Sequence, residues 1–251
     1  FNSPVEKIIT DGKNVKGIRA GSKEFFSDAV VSNADVYSTY GKLLNDTKSS
    51  AAKKYNKLEP SSSALVFYWG VNVTSQKLDA HNILFSADYK KEFEELFDKK
   101  IYPTDPTIYI YISSKFSQGD APRGKENWFV MINAPNAQLS PPERERLRWG
   151  INEIKETILN KIKALTGYDI KDKIETESIM SPQDIEEQTG SFGGSIYGIS
   201  SNSRNAAFLR QPNMSKQYNG LYFTGGSAHP GGGIPLVILS GKIAAEKIII
   251  L

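Results

Sequence analysis

One stretch near the C-terminus limits this chain more than any other. It runs Gly220-Leu221-Tyr222-Phe223-Thr224-Gly225-Gly226-Ser227-Ala228-His229-Pro230-Gly231-Gly232-Gly233-Ile234-Pro235 and continues as a mostly apolar run to Leu251. Leu221 to Thr224 are β-prone and read as a short buried strand. Five glycines then fall within nine positions, Gly225 to Gly233. Without a Cβ, such a bend takes positive φ and lets a ligand approach its backbone. Pro235 suits the first turn of a helix. From Leu236 onward the helix is apolar on almost every face, so burial is expected. Strand, glycine bend and helix together aim free N–H groups and a positive helix end at an anionic or electron-rich ligand. The same spacing also serves a tight connection that binds nothing.

Composition narrows the class. The 251 residues, 39% hydrophobic and 24% charged, suffice for one large or two ordinary domains of a folded soluble protein. A net charge of +3 does not argue for a nucleic-acid partner. The absence of cysteine excludes disulfides and thiolate metal sites and fits a reducing cytoplasm. With only His81 and His229, no His-rich metal centre is expected. No apolar run spans a bilayer, because Lys242, Glu246 and Lys247 interrupt the terminal helix. Phe1 opens no signal peptide, and the start without Met, in mid-pattern, leads us to expect a piece of a longer protein.

At the other end, Val5 to Ile9 and Val15 to Ala20 flank Asp11-Gly12-Lys13-Asn14, a hairpin. Ala29-Val30-Val31-Ser32 is unbroken and apolar, as buried parallel strands are. Asn33-Ala34-Asp35 follows as a turn or helix cap. In the middle, strands are expected at Ala64–Val73, His81–Phe85, Thr107–Ile112, Asn127–Asn133 and Lys173–Ile179, in a mostly antiparallel sheet. Helices are expected near Tyr89–Lys99 and over Pro142–Leu165, whose Leu147, Ile151, Ile154, Ile158, Leu159, Ile162 and Leu165 form one stripe. Ser140 starts the latter and Thr166-Gly167 stops it. Ser181-Pro182-Gln183-Asp184 caps a short helix. Strand aromatics such as Phe67, Tyr68, Trp69, Phe85, Tyr109, Tyr111, Trp128 and Phe129 suit an apolar tunnel, or simply sheet packing. Phe93, Leu96, Phe97 and Ile101 among lysines suit a membrane surface, or an ordinary packed helix. Arg204 and Arg210 suit surface ion pairs, or phosphate or acidic partners in a longer parent.

The segments Leu221-Tyr222-Phe223-Thr224-Gly225-Gly226, His229 to Pro235 and Ser240-Gly241-Lys242 resemble the C-terminal flavin-binding signature of the phytoene desaturase family. The order Pro4-Val5-Glu6-Lys7-Ile8, Asp11-Gly12, Val15 to Ile18 and Val30 to Asp35 is similar to the middle of the same family, so the resemblance covers both ends of the chain. It implies an FAD-dependent oxidoreductase that desaturates a carotenoid or other apolar isoprenoid. The fold class it implies is α+β. Residues 45–213 would be a substrate domain with a mixed, mostly antiparallel sheet. Residues 1–44 and 214–251 would be terminal strand-helix pieces of an incomplete Rossmann-like FAD-binding domain.

The resemblance puts Val5 at the adenine end of FAD. It puts Gly225, Gly226, Gly232, Gly233, Ile234 and Pro235 along the cofactor, with the helix tip at the pyrimidine side of the flavin, where reduced flavin carries negative charge. Gly194, Ser195 and Tyr197, with Gly193, would lie near the substrate. The ribityl-binding Asp of many flavoproteins has no counterpart among Gly225, Gly226 and Ser227, so backbone N–H groups are expected there. The dinucleotide fingerprint is also missing: Gly190, Gly193 and Gly194 have the wrong spacing. A family member would be about twice this length, and the chain alone is expected to be inactive and to hold FAD weakly. No nucleophile, triad or metal centre is expected, since flavin does the redox chemistry. His229 is the one candidate for proton relay, against a role in shaping the bend. The expected setting is the cytoplasm, or the periphery of the cytoplasmic membrane. Two alternatives stay open. A flavin amine-oxidase-like enzyme would show a polar, acid-lined substrate cavity; a non-catalytic binding or membrane-docking module would bind a partner and no polyene.

Overall fold

A computed structural model describes residues 2–200, 202 and 210–249. The chain forms two compact units, one from Phe1–Ser61 with Glu186–Leu251, the other from Ser62–Ile185. In the first unit β1 (Val5–Asp11) and β2 (Asn14–Ala20) make the expected antiparallel hairpin. A third strand, β3 (Lys23–Phe26), pairs with β2. Its sequence has no alternation, and its four residues are all exposed. The signal was in β2 instead: a Cβ on Gly17 (φ +145°) would lie 1.9 Å from the Phe25 carbonyl oxygen. Glycine inside a strand marks such a close backbone approach.

Next come β4 (Val30–Ser32) and α1 (Val36–Ser38). Asp35 caps α1, its carboxylate accepting the Tyr37 N–H at 2.8 Å. The helix then widens into a π-type turn, Thr39–Leu43. Ser49 caps the short α2 (Ser50–Tyr55). The central span expected at 45–213 is narrower in the folded chain, running Ser62–Ile185. Residues on both flanks belong to the first unit. Tyr55 packs with Tyr40, Leu221 and Phe223, and Asp46 accepts the Tyr218 hydroxyl while pairing with Lys13 at 3.4 Å.

The central unit is a five-stranded sheet of β5 (Ser63–Val71), β6 (His81–Leu84), β7 (Ile108–Tyr111), β8 (Glu126–Ala134) and β9 (Ile174–Met180). The order is β6-β7-β8-β5-β9, and every pairing is antiparallel. Period-2 alternation divides its faces. One face carries Leu65, Phe67, Trp69, Ile108, Ile110, Trp128 and Val130, packed with Ile154, Ile158 and Ile162 of a long helix.

Between β6 and β7, α3 (Tyr89–Phe93) runs into a π-type turn, Glu94–Asp98. The amphipathic stripe is only part of what this segment buries. Glu92 and Glu95 are also inward, their carboxylates accepting the Thr107 and Thr104 N–H groups at 2.9 and 2.7 Å. The single helix expected over 142–165 is two, α4 (Pro141–Trp149) and α5 (Ile151–Thr166), with the break at Gly150. Glycine is the least favourable residue there apart from proline. The start at Ser140, with its Glu143 capping box, and the stop at left-handed Gly167 fall where expected.

The chain returns through α6 (Pro182–Thr189), capped by mutual Ser181–Asp184 bonds. It enters β10 (Leu221–Phe223) and ends in α7 (Ile234–Ile249). β10 pairs in parallel with β4, Leu221 opposite Val30 and Phe223 opposite Ser32. The sheet is two strands wide, so Val31 is left 47% exposed rather than buried. The terminal helix corrects a second expectation. Only Ser240 and Ala244 are buried, and Ile234 and Ile238 are 76% and 68% exposed. Its apolar residues are distributed all round, but the described residues cover one side. That side is pinned by Asn213, whose buried Nδ2 donates to the carbonyls of Phe223 and His229 and to Ser240 Oγ at 3.1, 2.8 and 3.0 Å.

Asn213→Ala leaves these acceptors unsatisfied and is expected to lower stability by about 1–3 kcal/mol, read as a shift in urea midpoint. The Tyr218 hydroxyl, then Lys13, holds the Asp46 carboxyl below its ordinary value, against the opposing effect of burial. Because the folded pKa is the lower one, this contribution is present above the unfolded value and lost as pH falls through the folded one. Tyr218→Phe should move Asp46 back toward 3.8 in an NMR titration.

Candidate functional site

In a parallel pair both strands end on the same side, and ligands gather at that carboxyl edge. Here β4 runs into Asn33-Ala34-Asp35 and β10 into Thr224-Gly225. The two ends are sewn together. Thr224 N–H donates to Ser32 O at 2.9 Å, and Val36 N–H donates to Ser227 Oγ at 3.1 Å. Burial pushes the Asp35 carboxyl above its ordinary value, against the N–H groups of Tyr37 and Phe192 that favour the charge.

The glycine bend has two kinds of position. Gly225 (φ +91°) is pressed on the neighbouring strand end, where a Cβ would lie 2.4 Å from Asn33 Oδ1. A Cβ on Gly232 would lie 2.7 Å from Tyr197 Cδ1. Gly226 meets only Gly232, at 3.6 Å. Gly233 (φ +102°) meets nothing within 4 Å and opens α7 beside exposed Ile234 and Pro235. So Gly225 and Gly232 shape the bend, and Gly233 with Ile234 leaves an uncovered, positive helix end. Among the described residues no bulky side chain plugs that end.

The other expected residues fall as follows. Tyr197 joins the bend through Gly232, and Gly198 packs on Ser227. Gly194 and Ser195 are buried, Ser195 Oγ without a hydrogen-bond partner. Val5 lines an apolar groove of about 370 Å³ with Ile8, Phe25, Val31 and Asn33. Asn33 therefore touches both the groove and the glycine bend. His229 is exposed, and its backbone does the fixing: its N–H donates to Gln211 O and its carbonyl accepts from Asn213, both at 2.8 Å. Arg204 lies outside the described residues. Arg210, expected in a surface ion pair or on a phosphate or acidic partner in a longer parent, is not at the surface: it is buried at 5% exposure and donates to backbone carbonyls. Carbonyl acceptors leave no mark in a sequence, so nothing there could have revealed its partners. Among the described residues no cluster of three or more His, Asp or Glu could hold a metal.

In the central unit, the sheet face turned away from α5 is aromatic. Tyr68 and Tyr109 each meet Phe129 edge-on, at ring centroids of 5.5 and 6.2 Å. His81 stacks on Tyr111 at 4.7 Å and bonds the Tyr109 hydroxyl at 2.8 Å. Of the strand aromatics named from sequence, Phe67, Trp69 and Trp128 are instead core, while Phe85 is exposed. A second groove, at one end of the sheet, is lined by four carboxylates: Lys115, Lys125 and Lys155 pair with Glu126, Glu175 and Glu177, and Asp120 accepts from the Ser113 and Ser117 hydroxyls.

Gly225→Ala adds positive-φ strain to a clash and should cost about 1–3 kcal/mol. Gly226→Ala should stay within about 0.5 kcal/mol. Thermal melts of the two variants check the ordering.

No protein-family model matches the chain. It is 46% identical over 248 residues to a 1-hydroxycarotenoid 3,4-desaturase of Flavobacterium sp. (strain P99-3), covering 99% of this chain and 49% of that protein. It is 36% identical over 242 residues to a 4,4'-diaponeurosporene oxygenase of Staphylococcus haemolyticus (strain JCSC1435), covering 96% and 47%. The chain thus spans about half the length of the curated relatives it matches. Among solved structures, an oxidoreductase from Methanosarcina mazei matches with a TM-score of 0.60 at 14% identity, over 98% of this chain and 48% of that one. A redesigned putrescine oxidase matches with a TM-score of 0.58 at 10% identity, over 100% and 49%. These likenesses concern the fold.

Proposed function

We propose a function for this chain, which belongs to the phytoene desaturase family: it is the C-terminal part of an FAD-dependent oxidoreductase that desaturates a carotenoid. The reading is carried by the carboxyl edge of β4 and β10, where the glycine bend delivers the uncovered N-terminus of α7. Desaturation is preferred to oxygenation because the desaturase relative is the more similar, at 46% against 36% identity.

Forming the new double bond removes a hydride and a neighbouring proton from the substrate; a bound flavin would supply the hydride acceptor, and the proton would pass to water. The chain's own residues bind and orient. The Gly233–Pro235 tip would face the electron-rich edge of the ring and Gly226 would let the backbone come close, while Gly225 and Gly232 shape the bend. The Val5 groove takes the adenine end. Gly194, Ser195 and Tyr197 border the substrate. The half-buried aromatic face around Phe129 is a dry, polarisable platform suited to a polyene. An amine substrate would need a free carboxylate to receive it; of the four in that groove, Glu126, Glu175 and Glu177 are paired with lysine and Asp120 accepts from the Ser113 and Ser117 hydroxyls. His229, exposed and held by its backbone, is assigned to shaping the bend. Among the described residues no helix is long and apolar enough to cross a membrane; contact with a membrane surface, from which such a substrate would be drawn, is part of the proposal, as is a cytoplasmic setting.

The test uses the longest natural polypeptide that contains this chain, loaded with FAD under anaerobic conditions. A carotenoid should bleach the flavin absorbance, and putrescine or cyclohexylamine should not. The reverse pattern would overturn the proposal. Ile234→Asp puts a negative charge at the tip and should raise the FAD dissociation constant about tenfold, roughly 1.4 kcal/mol. Ile234→Ala should leave it near wild type, because the residue is 76% exposed.

A further inference from the structure

Arg210 lies at 5% exposure beside the glycine bend. Its Nη1 donates to Tyr197 O at 2.8 Å and to Gly226 O at 2.6 Å, and its Nη2 donates to Ile199 O at 3.1 Å. The side chain also fills the space beside Gly231, where a Cβ would lie 3.0 Å from Nε. The acceptors sit on two irregular backbone segments. The first, 197–200, is held on its other side by Ser61 and Glu59: Tyr197 N–H donates to Ser61 Oγ, Ser61 N–H to Gly198 O, and Ser200 N–H to Glu59 O. The second is the bend itself. Neither segment belongs to a sheet ladder or a helix, so these carbonyls need donors from elsewhere. A guanidinium presents five N–H groups in a rigid planar fork and stays charged when buried. An ammonium is a point donor on a flexible stem and does not reproduce the fork.

We propose that Arg210 is a positioning residue: its guanidinium latches the Tyr197–Ile199 segment to the glycine bend and so sets where the bend holds a flavin. The last clause rests on the flavin reading above; the latch itself does not. Because Tyr197 also packs on Gly232, displacement of either segment is passed to the other by two routes, a polar one through Arg210 and a steric one through the ring. The geometry of the fork, rather than its charge alone, is what the latch requires.

The experiment compares wild type, Arg210→Lys, Arg210→Gln and Gly231→Ala in the same long polypeptide. Hydrogen exchange is followed by mass spectrometry, and FAD affinity by fluorescence titration. Peptides covering 195–200 and 224–232 should lose protection together, about tenfold in each variant, while the β5 peptide 63–71 is unchanged. FAD should bind about tenfold more weakly to Arg210→Lys as well as to Arg210→Gln. Gly231→Ala displaces the guanidinium from the opposite side, so it keeps the test alive if Arg210→Gln does not fold. Protection lost in one segment only, or Arg210→Lys indistinguishable from wild type, would overturn the latch. Coupled exchange in a wild-type protein that retains no FAD would instead overturn the flavin clause and the reading it rests on, and leave the latch standing.

Discussion

The parallel pairing of Val30–Ser32 with Leu221–Phe223 is the constraint on which the first unit depends. It joins segments nearly two hundred residues apart, so its closure entropy has to be offset by what gathers around it. What gathers is an apolar cluster with an aromatic centre: Tyr40 packs with Tyr55, Tyr218 and Phe223, with Tyr222 buried alongside. Two strands would not hold by themselves. They hold because this cluster, the Asn213 amide and the Thr224–Ser32 bond all act on the same short register. The direction of the pairing then does the functional work. Two strand ends, two bends and two helix starts arrive on one side, and one of those starts is left uncovered.

Polar groups complete the design in both units by giving irregular backbone its partners. Glu92 and Glu95 serve 104–107, Glu126 serves Ser75 and Trp128, and Arg210 serves 197–199 and Gly226. Each is a buried charge taken up by hydrogen bonds rather than left alone, the condition under which burial of charge is tolerated. In the central unit the division of labour between sheet faces is equally plain. Tryptophans with carboxylate partners fill the helix-covered face, and tyrosines and Phe129 fill the other.

Much of this was legible in the sequence. The Thr107–Ile112 strand announces itself by alternation and the other central strands by β-prone runs, the hairpin by Asp11-Gly12, the caps by Ser140, Asp35 and Ser181, and the bend by its glycines. The tip at Gly233 and Ile234 could be pointed to from those glycines and Pro235. Other features could not be read. Hydrophobicity said that α7 wants cover, but no sequence says who provides it, and the helix is exposed. The stripe across 142–165 ignored Gly150. β3 lacks any pattern of its own and is held by the room that Gly17 leaves. Arg210 and Asn213 act on carbonyls, which every residue possesses, so their importance emerges only when the backbone is folded.

The uncovered α7 has a practical consequence. A polypeptide that turns Ile234, Leu236, Ile238 and Leu239 of one helix to water is surface-active. On its own such a surface favours adsorption and self-association. A mild detergent would then act as a temporary lid on this helix, and its choice would decide what state of the protein any experiment sees.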